Sequence, residues 1–513
     1  SPTGLVTRYE YDSLGRLVKT ILPDNTPNNA SDNPQATTEY TPGSRVKATV
    51  DILGNRETFT YDDLGRLEEQ KDVLGNPTTY TYNVGGQIAS VTDAKNRTNR
   101  VVYDGQGRPV ETRFFDGSKT KTAYDELGRV KSETNALNQT TRYEYDSQSR
   151  VAAIINALGE KTQFTYDTRG NLTQLKDAKG NATRYEYDRY GRQVATIAPT
   201  GERSRLEYDN FNQVVRAIDP KGNATKYSYD NLNQLTAVEL ANSTKTNYTY
   251  DNLGRLTQVK DANQNATTYE YDAFNRQIAT QLPLGQRASA TYNNLGFLSS
   301  QTDYNGDTIN YAYDSYGRLA NKSFTKPTIA PVSYTYDPIT SQTATVTDGR
   351  GTTRYSYDNW DRIASITQPD TQSIQYGYDA ISNLASVTTA AGKIDYSYDG
   401  VNRLDKVLSG TTTLADYDYD KVGNLIQTTR ADGTTETRQY YSRDLLKSIE
   451  TRNSVGTVLS GYTYTLDANG NRQKVVEASG RTVDYSYDTL DRLTGETIAR
   501  PGSSNRTIGY SYD

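Results

Sequence analysis

The sequence of residues 250–272 is YDNLGRLTQVKDANQNATTYEYD, which begins and ends on the same Tyr-Asp pair. From Tyr61 to Tyr313 this pair, or a Tyr-Asn pair in its place, recurs every 21 residues for twelve successive intervals. Regular copies of this kind are typical of repeat proteins, in which each unit buries its apolar face against its neighbours. The structure of one unit therefore decides the fold of the chain.

Each unit alternates residues that favour strands with residues that favour turns. Residues 268–271 are strand-forming, and a strand places Tyr269 and Tyr271 on one face and Glu270 on the other. The fourth residue after the repeated Tyr is Gly in eleven copies, Asn in four and Asp in two. These residue types tolerate positive φ, which predicts a tight turn with one left-handed position.

The Asp of the Tyr-Asp pair has a predicted role in this turn. A carboxylate at this place can accept hydrogen bonds from turn amides, as an Asx-type cap does. An amide oxygen can do the same, which explains the Asn at Asn83 and Asn293. We therefore expect the repeated Asp to cap the turn.

A second strand, residues 256–260, and a second turn, residues 261–265, complete the unit. Two strands and two turns in 21 residues predict a β-hairpin. Leu256 and Val259 are three residues apart, so strict alternation would place them on opposite faces. This spacing predicts either a β-bulge or burial on both faces.

The predicted fold class is all-β. Tandem hairpins of about 21 residues would form one long antiparallel sheet, and large sheets twist and curl rather than stay flat. We expect the sheet to spiral into a hollow shell or tube, with successive turns of the spiral covering each other's edges. A mean hydropathy of −0.82 and 44 Tyr residues fit a thin, wet wall better than a solid globule.

Composition also excludes several classes of function. The chain has no Cys, Met or His, so disulfides, thiolate metal sites and histidine chemistry are ruled out. The net charge is −5 and no basic block is present, which argues against nucleic-acid binding. No apolar run is long enough to span a membrane, so we expect no membrane insertion by this segment.

The predicted domain organisation is a single repeat array over residues 1–513. An irregular start, residues 1–60, contains a loop rich in Pro and Asn at residues 22–38; the strict repeats occupy residues 61–335, and the spacing drifts over residues 336–513. In the last stretch the motif decays to Tyr-Ser at Tyr441 and Tyr-Thr at Tyr464. The absence of an initiator Met and a half-finished repeat at residues 510–513 indicate a piece of a longer protein.

The pattern Tyr-x-Tyr-Asp-x-x-Gly-Arg-Leu followed by Asp-x-x-Gly-Asn resembles the YD repeat of the Rhs family, from about Leu5 to Asp513. Similar repeats occur in bacterial Rhs and other polymorphic toxins, in the C component of insecticidal toxin complexes, and in animal teneurins. The resemblance implies a β-sheet shell that encloses a C-terminal toxin domain, absent from this chain. It also implies a secreted or cell-surface protein, of bacterial origin, whose partners are the toxin cargo or other parts of the same polypeptide.

Interpretations that assign catalysis or metal binding to particular residues have less support. Rhs proteins carry a self-cleaving region with Asp-Pro-x-Gly segments, but the Asp219-Pro220-Lys221-Gly222 segment lies in an ordinary second-turn slot, so a turn is favoured over a protease. A uniform repeat offers no distinguished acid pair for catalysis. Calcium shared between neighbouring turns stays an alternative. We predict no enzyme activity and no catalytic, cofactor-binding or metal site.

Three further features bear on function. Arg follows the turn in many copies, including Arg255 and Arg318, and could pair with acids of adjacent strands or simply keep the surface soluble. Trp360 occupies a hydrophobic turn position, so packing is favoured over ligand binding. Rows of Tyr on a solvent face would suit carbohydrate binding and cell adhesion. The leading hypothesis is a container for a toxin, and the alternatives are an adhesion module and a filament.

Overall fold

A computed structural model describes residues 5–23 and 33–512. These residues form 47 β-strands and no helix, which confirms the all-β prediction. No helix in this part of the chain is long and apolar enough to cross a membrane. The chain divides into two compact units. Unit 1 contains residues 1–121 and 248–376, and unit 2 contains residues 122–247 and 377–513.

The strands follow one another with the regularity of the repeat. The first 23 are β1 (Arg8–Tyr11), β2 (Leu17–Ile21), β3 (Gln35–Tyr40), β4 (Val46–Val50), β5 (Arg56–Tyr61), β6 (Leu67–Lys71), β7 (Pro77–Tyr82), β8 (Ile88–Thr92), β9 (Thr98–Tyr103), β10 (Pro109–Arg113), β11 (Lys119–Tyr124), β12 (Val130–Thr134), β13 (Thr140–Tyr145), β14 (Val151–Ile155), β15 (Lys161–Tyr166), β16 (Leu172–Lys176), β17 (Ala182–Tyr187), β18 (Gln193–Ile197), β19 (Arg203–Tyr208), β20 (Val214–Ile218), β21 (Ala224–Tyr229), β22 (Leu235–Glu239) and β23 (Lys245–Tyr250).

The remaining 24 strands continue the series. They are β24 (Leu256–Lys260), β25 (Ala266–Tyr271), β26 (Gln277–Gln281), β27 (Arg287–Tyr292), β28 (Leu298–Thr302), β29 (Thr308–Tyr313), β30 (Leu319–Phe324), β31 (Val332–Tyr336), β32 (Thr343–Asp348), β33 (Gly351–Tyr357), β34 (Ile363–Thr367), β35 (Ser373–Tyr378), β36 (Leu384–Thr389), β37 (Gly392–Tyr398), β38 (Leu404–Ser409), β39 (Thr412–Tyr419), β40 (Leu425–Arg430), β41 (Thr435–Tyr440), β42 (Leu446–Arg452), β43 (Val458–Leu466), β44 (Arg472–Glu477), β45 (Thr482–Tyr487), β46 (Leu493–Ala499) and β47 (Arg506–Gly509).

Within each unit, strands that are consecutive in the chain pair antiparallel. A β-bulge lies in the hairpins whose first strand ends on the repeated Tyr. In the pair β15–β16, Phe164 faces Leu175 and Tyr166 faces Leu172, while Thr173 has no partner in register. The bulge restores the alternation, so Leu172 and Leu175 lie on the same face as the aromatic rings. The same shift occurs in β7–β8, β25–β26 and β33–β34. The predicted bulge is confirmed.

The opposite face of the sheet carries ion pairs between repeats over small buried side chains. Arg203 of β19 donates to both carboxylate oxygens of Glu186 on β17, at 2.7 and 2.6 Å. Between these strands Ala195 is only 2% exposed, and it lies in register with Glu186 and Arg205. Long charged side chains can cover apolar surface with their aliphatic stems. This face therefore stays charged while its smallest residues are buried.

The structure corrects the register of two decayed repeats. The amide of Tyr441 donates to the Leu445 carbonyl at 2.8 Å, so Tyr441 occupies the Asp position and Tyr440 is the repeated Tyr. The amide of Asp467 closes the next turn, so Leu466 occupies the Tyr position instead of the predicted Tyr464. The inserted residues therefore fall together in the longer strands β42 and β43.

The predicted loop at residues 22–38 ends earlier than expected, because residues 35–38 belong to β3. Residues 24–32 of that loop lie outside the described residues. The division of the chain into an irregular start, a strict stretch and a drifting stretch stays a prediction.

Candidate functional site: the YD turn and the seam between hairpin tips

The YD turn is the turn that follows the repeated Tyr, and residues 251–255 are a representative copy. Asp251 donates its amide to the Arg255 carbonyl at 2.9 Å, and Gly254 donates its amide to the Asp251 carbonyl at 3.0 Å. The Asp251 Oδ1 accepts the amides of Leu253 at 2.9 Å and Arg255 at 3.0 Å. The φ angle is 80° at Gly254. The predicted Asp cap and left-handed position are both confirmed.

The two Asn substitutions preserve the cap. Asn83 Oδ1 accepts the amide of Gln87 at 3.0 Å. Asn293 Oδ1 accepts the amides of Leu295 at 3.1 Å and Phe297 at 2.9 Å. The turn therefore requires an acceptor oxygen at this place, and a charge is not essential for the backbone geometry.

Where a YD turn ends on Arg, this Arg connects one repeat to the next. Arg255 donates its Nε to Asp251 Oδ2 at 2.7 Å within its own turn. Its guanidinium lies over the ring of Tyr271, and its Nη1 donates to the Asp272 carbonyl at 3.1 Å. The Tyr271 hydroxyl in turn donates to the Leu256 carbonyl at 2.9 Å. Similar Arg and Tyr stacks are Arg16–Tyr40, Arg66–Tyr82, Arg129–Tyr145, Arg150–Tyr166, Arg192–Tyr208, Arg318–Tyr336 and Arg403–Tyr419.

This arrangement corrects one of the two predicted roles of the turn Arg, pairing with acids of adjacent strands; the other role, surface solubility, stays a prediction. Its carboxylate partner belongs to its own turn, because a residue four positions after the capping Asp faces the second carboxylate oxygen. The neighbouring repeat supplies a ring and a backbone carbonyl instead. The acids of adjacent strands pair with strand residues, as Glu186 does with Arg203.

The turn carboxylates are held in their ionised form. Hydrogen bonds from the amide and the guanidinium of Arg66 lower the pKa of Asp62 below its ordinary value of 3.8. The same two kinds of hydrogen bond from Arg108 lower the pKa of Asp104. A carboxylate held in this way acts as a cap and ion-pair partner rather than as a proton donor near neutral pH.

The second turn lies at the opposite end of each hairpin, and in unit 1 the second turns of the early repeats contact YD turns of the late repeats. Asn55 donates its Nδ2 to the Ser315 carbonyl at 3.1 Å. Asp361 accepts Lys95 Nζ at 2.6 Å and Arg97 Nη2 at 2.7 Å. We call these contacts, between the second turns of residues 51–118 and the YD turns of residues 314–362, the seam of unit 1.

Trp360 packs into this seam. Its ring centroid lies 4.6 Å from that of Phe115 and 5.4 Å from that of Phe114. The indole N–H donates to Asp116 Oδ2 at 3.0 Å. The side chain thus has the packing role expected from its turn position, although its contacts come from a second turn that is distant in the sequence.

Unit 2 contains an equivalent seam, between the second turns of residues 135–223 and the YD turns of residues 399–492. Lys179 Nζ lies 2.8 Å from Asp420 Oδ2. Lys221 Nζ lies 2.9 Å from Asp491 Oδ1 and 3.2 Å from Asp467 Oδ2. The hydrogen bond to Asp420 raises the pKa of Lys179, so this lysine is charged at neutral pH.

The Asp219-Pro220-Lys221-Gly222 segment belongs to this seam. The Asn223 amide donates to Asp219 Oδ1 at 2.8 Å, which is the hydrogen bond of an ordinary second-turn cap. Asn469 of a YD turn donates its Nδ2 to Asp219 Oδ2 at 2.7 Å. The prediction of a turn at this segment is confirmed.

The seam cannot be recognised in the sequence alone. Lys95, Lys179 and Lys221 all stand at the third position of a second turn, and this recurrence is the only signal that the sequence carries. Their partners lie between 241 and 270 residues away, too far for local pattern analysis. The expectation that successive turns of a spiral cover each other's edges stays a prediction. Within each unit, the described contacts between distant repeats are between hairpin tips.

The described residues contain no group of three or more acidic side chains arranged to hold a metal ion. Open depressions of about 500 and 480 Å³ lie along the seams of unit 1 and unit 2. The absence of a catalytic, cofactor-binding or metal site stays a prediction.

Comparisons with known families agree with the geometry of the turn. A family model described as the teneurin YD-shell matches residues 110–238 and 156–295. A second model, described as the RHS repeat, matches residues 1–27, 61–98, 362–394 and 467–500. The chain belongs to the Rhs/YD-repeat family. Among curated proteins, none is significantly similar to it in sequence.

Solved structures share the Rhs/YD-repeat fold. The crystal structure of TcdB2-TccC3 matches with a TM-score of 0.76 at 15% identity, covering 99% of this chain and 35% of that chain. TcdB2-TccC3 without its hypervariable C-terminal region matches with a TM-score of 0.75 at 13% identity, covering 99% and 37%. At these identities the likeness establishes the fold. The chain spans about a third of the length of these solved chains.

Proposed function

We propose that this Rhs/YD-repeat chain is a wall segment of a container, which encloses a toxin domain of the same polypeptide and has no catalytic residue of its own. The observation that carries this proposal is the seam. In each unit the tips of distant hairpins bind one another through charged and hydrogen-bonded side chains. A wall that must retain a cargo needs lateral contacts of this kind as well as strand pairing.

The repeated turn fits a scaffold better than a chemical centre. Most complete YD turns use a carboxylate to cap backbone amides, while Asn83 and Asn293 use an amide oxygen. In many copies the carboxylate also holds an Arg, as Asp251 and Arg255 do. The strand Tyr hydroxyls are engaged by backbone carbonyls, as in Tyr271 and Leu256. These groups are occupied in stabilising the array, which supports a structural role.

Relatives support the nature of the cargo by analogy. One solved relative is described as lacking a hypervariable C-terminal region. By analogy, the proposed cargo is a variable segment that follows the repeat array in the full polypeptide. The toxin families that carry such shells act outside the producing cell, so we propose a secreted or surface-delivered protein from a bacterium.

Protease protection of the full polypeptide tests this function. The gene on both sides of the segment is first sequenced, and its complete product is then digested with proteinase K under native conditions. A container protects an internal segment that is cut once the protein is unfolded. In a variant with Lys179→Glu and Lys221→Glu, repulsion at the seam of unit 2 should expose that segment to the protease.

Lys226→Glu is the matched control, because Lys226 pairs with Glu239 on a strand and makes no seam contact. It should leave protection unchanged. If the full polypeptide contains no protected segment, or if all parts are cut equally fast in the native protein, the container proposal is wrong.

A second candidate function is adhesion, and two exposed aromatic residues favour it. Tyr190 and Phe211, at the tips of consecutive YD turns in unit 2, are 65% and 75% exposed. Aromatic rings at such positions can stack on sugar rings or contact a protein partner. A glycan array probed with the wild-type chain and with a Tyr190→Ser, Phe211→Ser variant tests this candidate. Equal signals from both proteins would exclude these tips as the binding surface.

A further inference from the structure

The aromatic row of unit 1 is interrupted at three repeats, at Thr38, Val101 and Ala290, and Ala290 has the smallest of these side chains. The residue two positions before the repeated Tyr is Tyr269 in β25 and Tyr311 in β29, but in β27 it is Ala290. Residues two apart on a strand share a face, so Ala290 lies on the same face as Tyr292. The repeat pattern therefore places a phenol ring in the copy before and in the copy after, but not in this one.

A groove of about 260 Å³ occupies this place. Its lining includes Ile278, Thr280, Ala288, Ala290, Tyr292 and Leu298. The walls combine small or apolar side chains with the polar side chains of Gln277 and Gln301, and the groove opens to solvent on the Tyr face. A space created by a missing aromatic side chain can bind a small aromatic molecule of similar shape.

The hydroxyl of the neighbouring repeated Tyr makes a longer hydrogen bond beside the groove. The Tyr292 hydroxyl lies 3.5 Å from the Gln277 carbonyl, to which it donates. The equivalent distances are 2.9 Å for Tyr271 and 2.9 Å for Tyr313. A hydrogen bond at the longer distance is weaker, which is consistent with missing packing on this side of the Tyr292 ring.

The repeat also provides a polar partner for a ring in the groove. The Tyr311 hydroxyl contacts Gln301 Oε1 at 3.3 Å, and the Tyr143 hydroxyl contacts Glu133 Oε2 at 2.7 Å. In both copies the partner precedes the Tyr by ten residues. The same offset from Ala290 leads to Thr280, which lines the groove. Thr280 Oγ1 already accepts a hydrogen bond from Gln277 Nε2 at 2.7 Å.

We propose that this groove is a binding site for a phenol ring, presented as the tyrosine side chain of a polypeptide that lies on the Tyr face. The ring would stand over Ala290 between Tyr292 and Leu298, in the place that Tyr269 and Tyr311 occupy in their own repeats. Its hydroxyl would hydrogen bond to Thr280. The site does not depend on the container function, since any bound polypeptide could supply the side chain.

The test uses p-cresol, the side chain of tyrosine, and N-acetyltyrosinamide as probes in NMR titrations of the 513-residue chain. Both should bind saturably with a Kd on the order of 1 mM, as suits a small ring in an open groove. In Ala290→Tyr the groove is filled by the protein's own ring, so the affinity for both probes should fall at least tenfold. This variant restores the repeat pattern and is not expected to impair folding.

Two controls make the result specific. Thr291→Tyr adds the same ring on the opposite face and should leave binding unchanged. Toluene lacks the hydroxyl, so it should bind more weakly than p-cresol, and Thr280→Val should remove the difference between them.

Three outcomes would overturn the proposal. The first is equal binding of p-cresol to the wild type and to Ala290→Tyr. The second is equal binding of toluene and p-cresol to the wild type. The third is binding of p-cresol without any binding of N-acetyltyrosinamide, which would assign the groove to free phenols rather than to tyrosine side chains.

Discussion

The guanidinium carbon of Arg255 lies 4.9 Å from the centroid of the Tyr271 ring, and this contact joins two consecutive repeats through their turns. The same Arg is bound by the Asp251 carboxylate of its own turn. The planar guanidinium can stack on a ring and donate in its plane at the same time, which a lysine cannot do. The identity of this cation should therefore matter more than its charge.

Replacing Arg255 with Lys keeps the charge and removes both the stacking and the bond from Nε to Asp251. We expect the local stability of the turn to fall by about 1 kcal/mol. Hydrogen exchange at the amides of Leu253 and Arg255 measures this change directly. Lys131→Arg, a conservative change at an exposed position of β12, is the control and should leave the exchange of these amides unchanged. Unchanged exchange in Arg255→Lys would show that charge alone holds the turn.

Gly254 has a φ angle of 80°, in the left-handed region. Gly254→Val should destabilise the turn by about 1–3 kcal/mol, because a β-branched residue is strained at positive φ. Gly254→Asn should be tolerated, since Asn275 adopts a φ of 65° at the same position of the next repeat. Chemical denaturation of both variants checks the difference. A similar loss of stability in both variants would mean that side-chain contacts, and not backbone strain, determine which residues are tolerated at position 254.

The ion pair between Lys179 and Asp420 has a distance of 2.8 Å and joins residues that are 241 positions apart. Lys179→Gln should weaken this part of the seam, and Asp420→Asn, which keeps the capping oxygen, should cause little further loss in the double variant. For a partly exposed pair we expect a coupling energy of about 1 kcal/mol. Limited proteolysis of the second turn at residues 177–181 is the measurement. Losses that simply add in the double variant would assign the contact to chance proximity.

Trp360 is the single tryptophan of the chain, so its fluorescence reports on the seam of unit 1 alone. Phe115→Ala removes the ring whose centroid lies 4.6 Å from that of Trp360. We expect the emission maximum to shift to longer wavelength as the indole becomes more hydrated. Phe164→Ala, in β15 of unit 2, is the matched control and should leave the emission unchanged. Equal shifts in both variants would contradict a local origin.

Acid should weaken the YD turns through their carboxylates. Hydrogen bonds from the Arg66 amide and guanidinium lower the folded-state pKa of Asp62 below 3.8. Because the folded pKa is depressed, this stabilisation is present above pH 3.8 and is lost as the pH falls through the folded pKa. Asp62→Asn keeps a capping oxygen but cannot ionise. Thermal melts of both proteins across this range should converge at low pH, and a constant difference between them would argue against the ion pair.

The repeat unit could be predicted from the sequence almost completely. The positions of Gly254 and Asp251 predict the left-handed turn and its cap, and the spacing of Leu172 and Leu175 predicts the bulge. These features follow from backbone geometry that acts within one hairpin. Local rules fail where the repeat decays. The sequence suggests Tyr464 as the repeated Tyr of its copy, but Leu466 occupies that position in the structure.

The seam could not be predicted, because its partners are distant in the sequence and its residues are ordinary in composition. A lysine such as Lys221 at a hairpin tip is usually solvated, and nothing near it in the sequence indicates Asp467 or Asp491. One of the two alternatives for the turn Arg, pairing with acids of adjacent strands, was also wrong, because Asp251 of its own turn lies closer to Arg255 than those acids do. The proposed container function rests on these contacts, which only the three-dimensional structure brings together.

The seam has a consequence for how such a chain can evolve. Hairpins of 21 residues look interchangeable, and an array without a seam could gain or lose one hairpin without losing contacts between distant repeats. Here, however, Lys179 pairs with Asp420 and Lys221 pairs with Asp491. Removing one hairpin between the partners would place each lysine opposite a different hairpin. Duplication or deletion is then tolerated only if the lysines and acids move with it. The number of repeats between the partners is therefore constrained by the contacts of the seam.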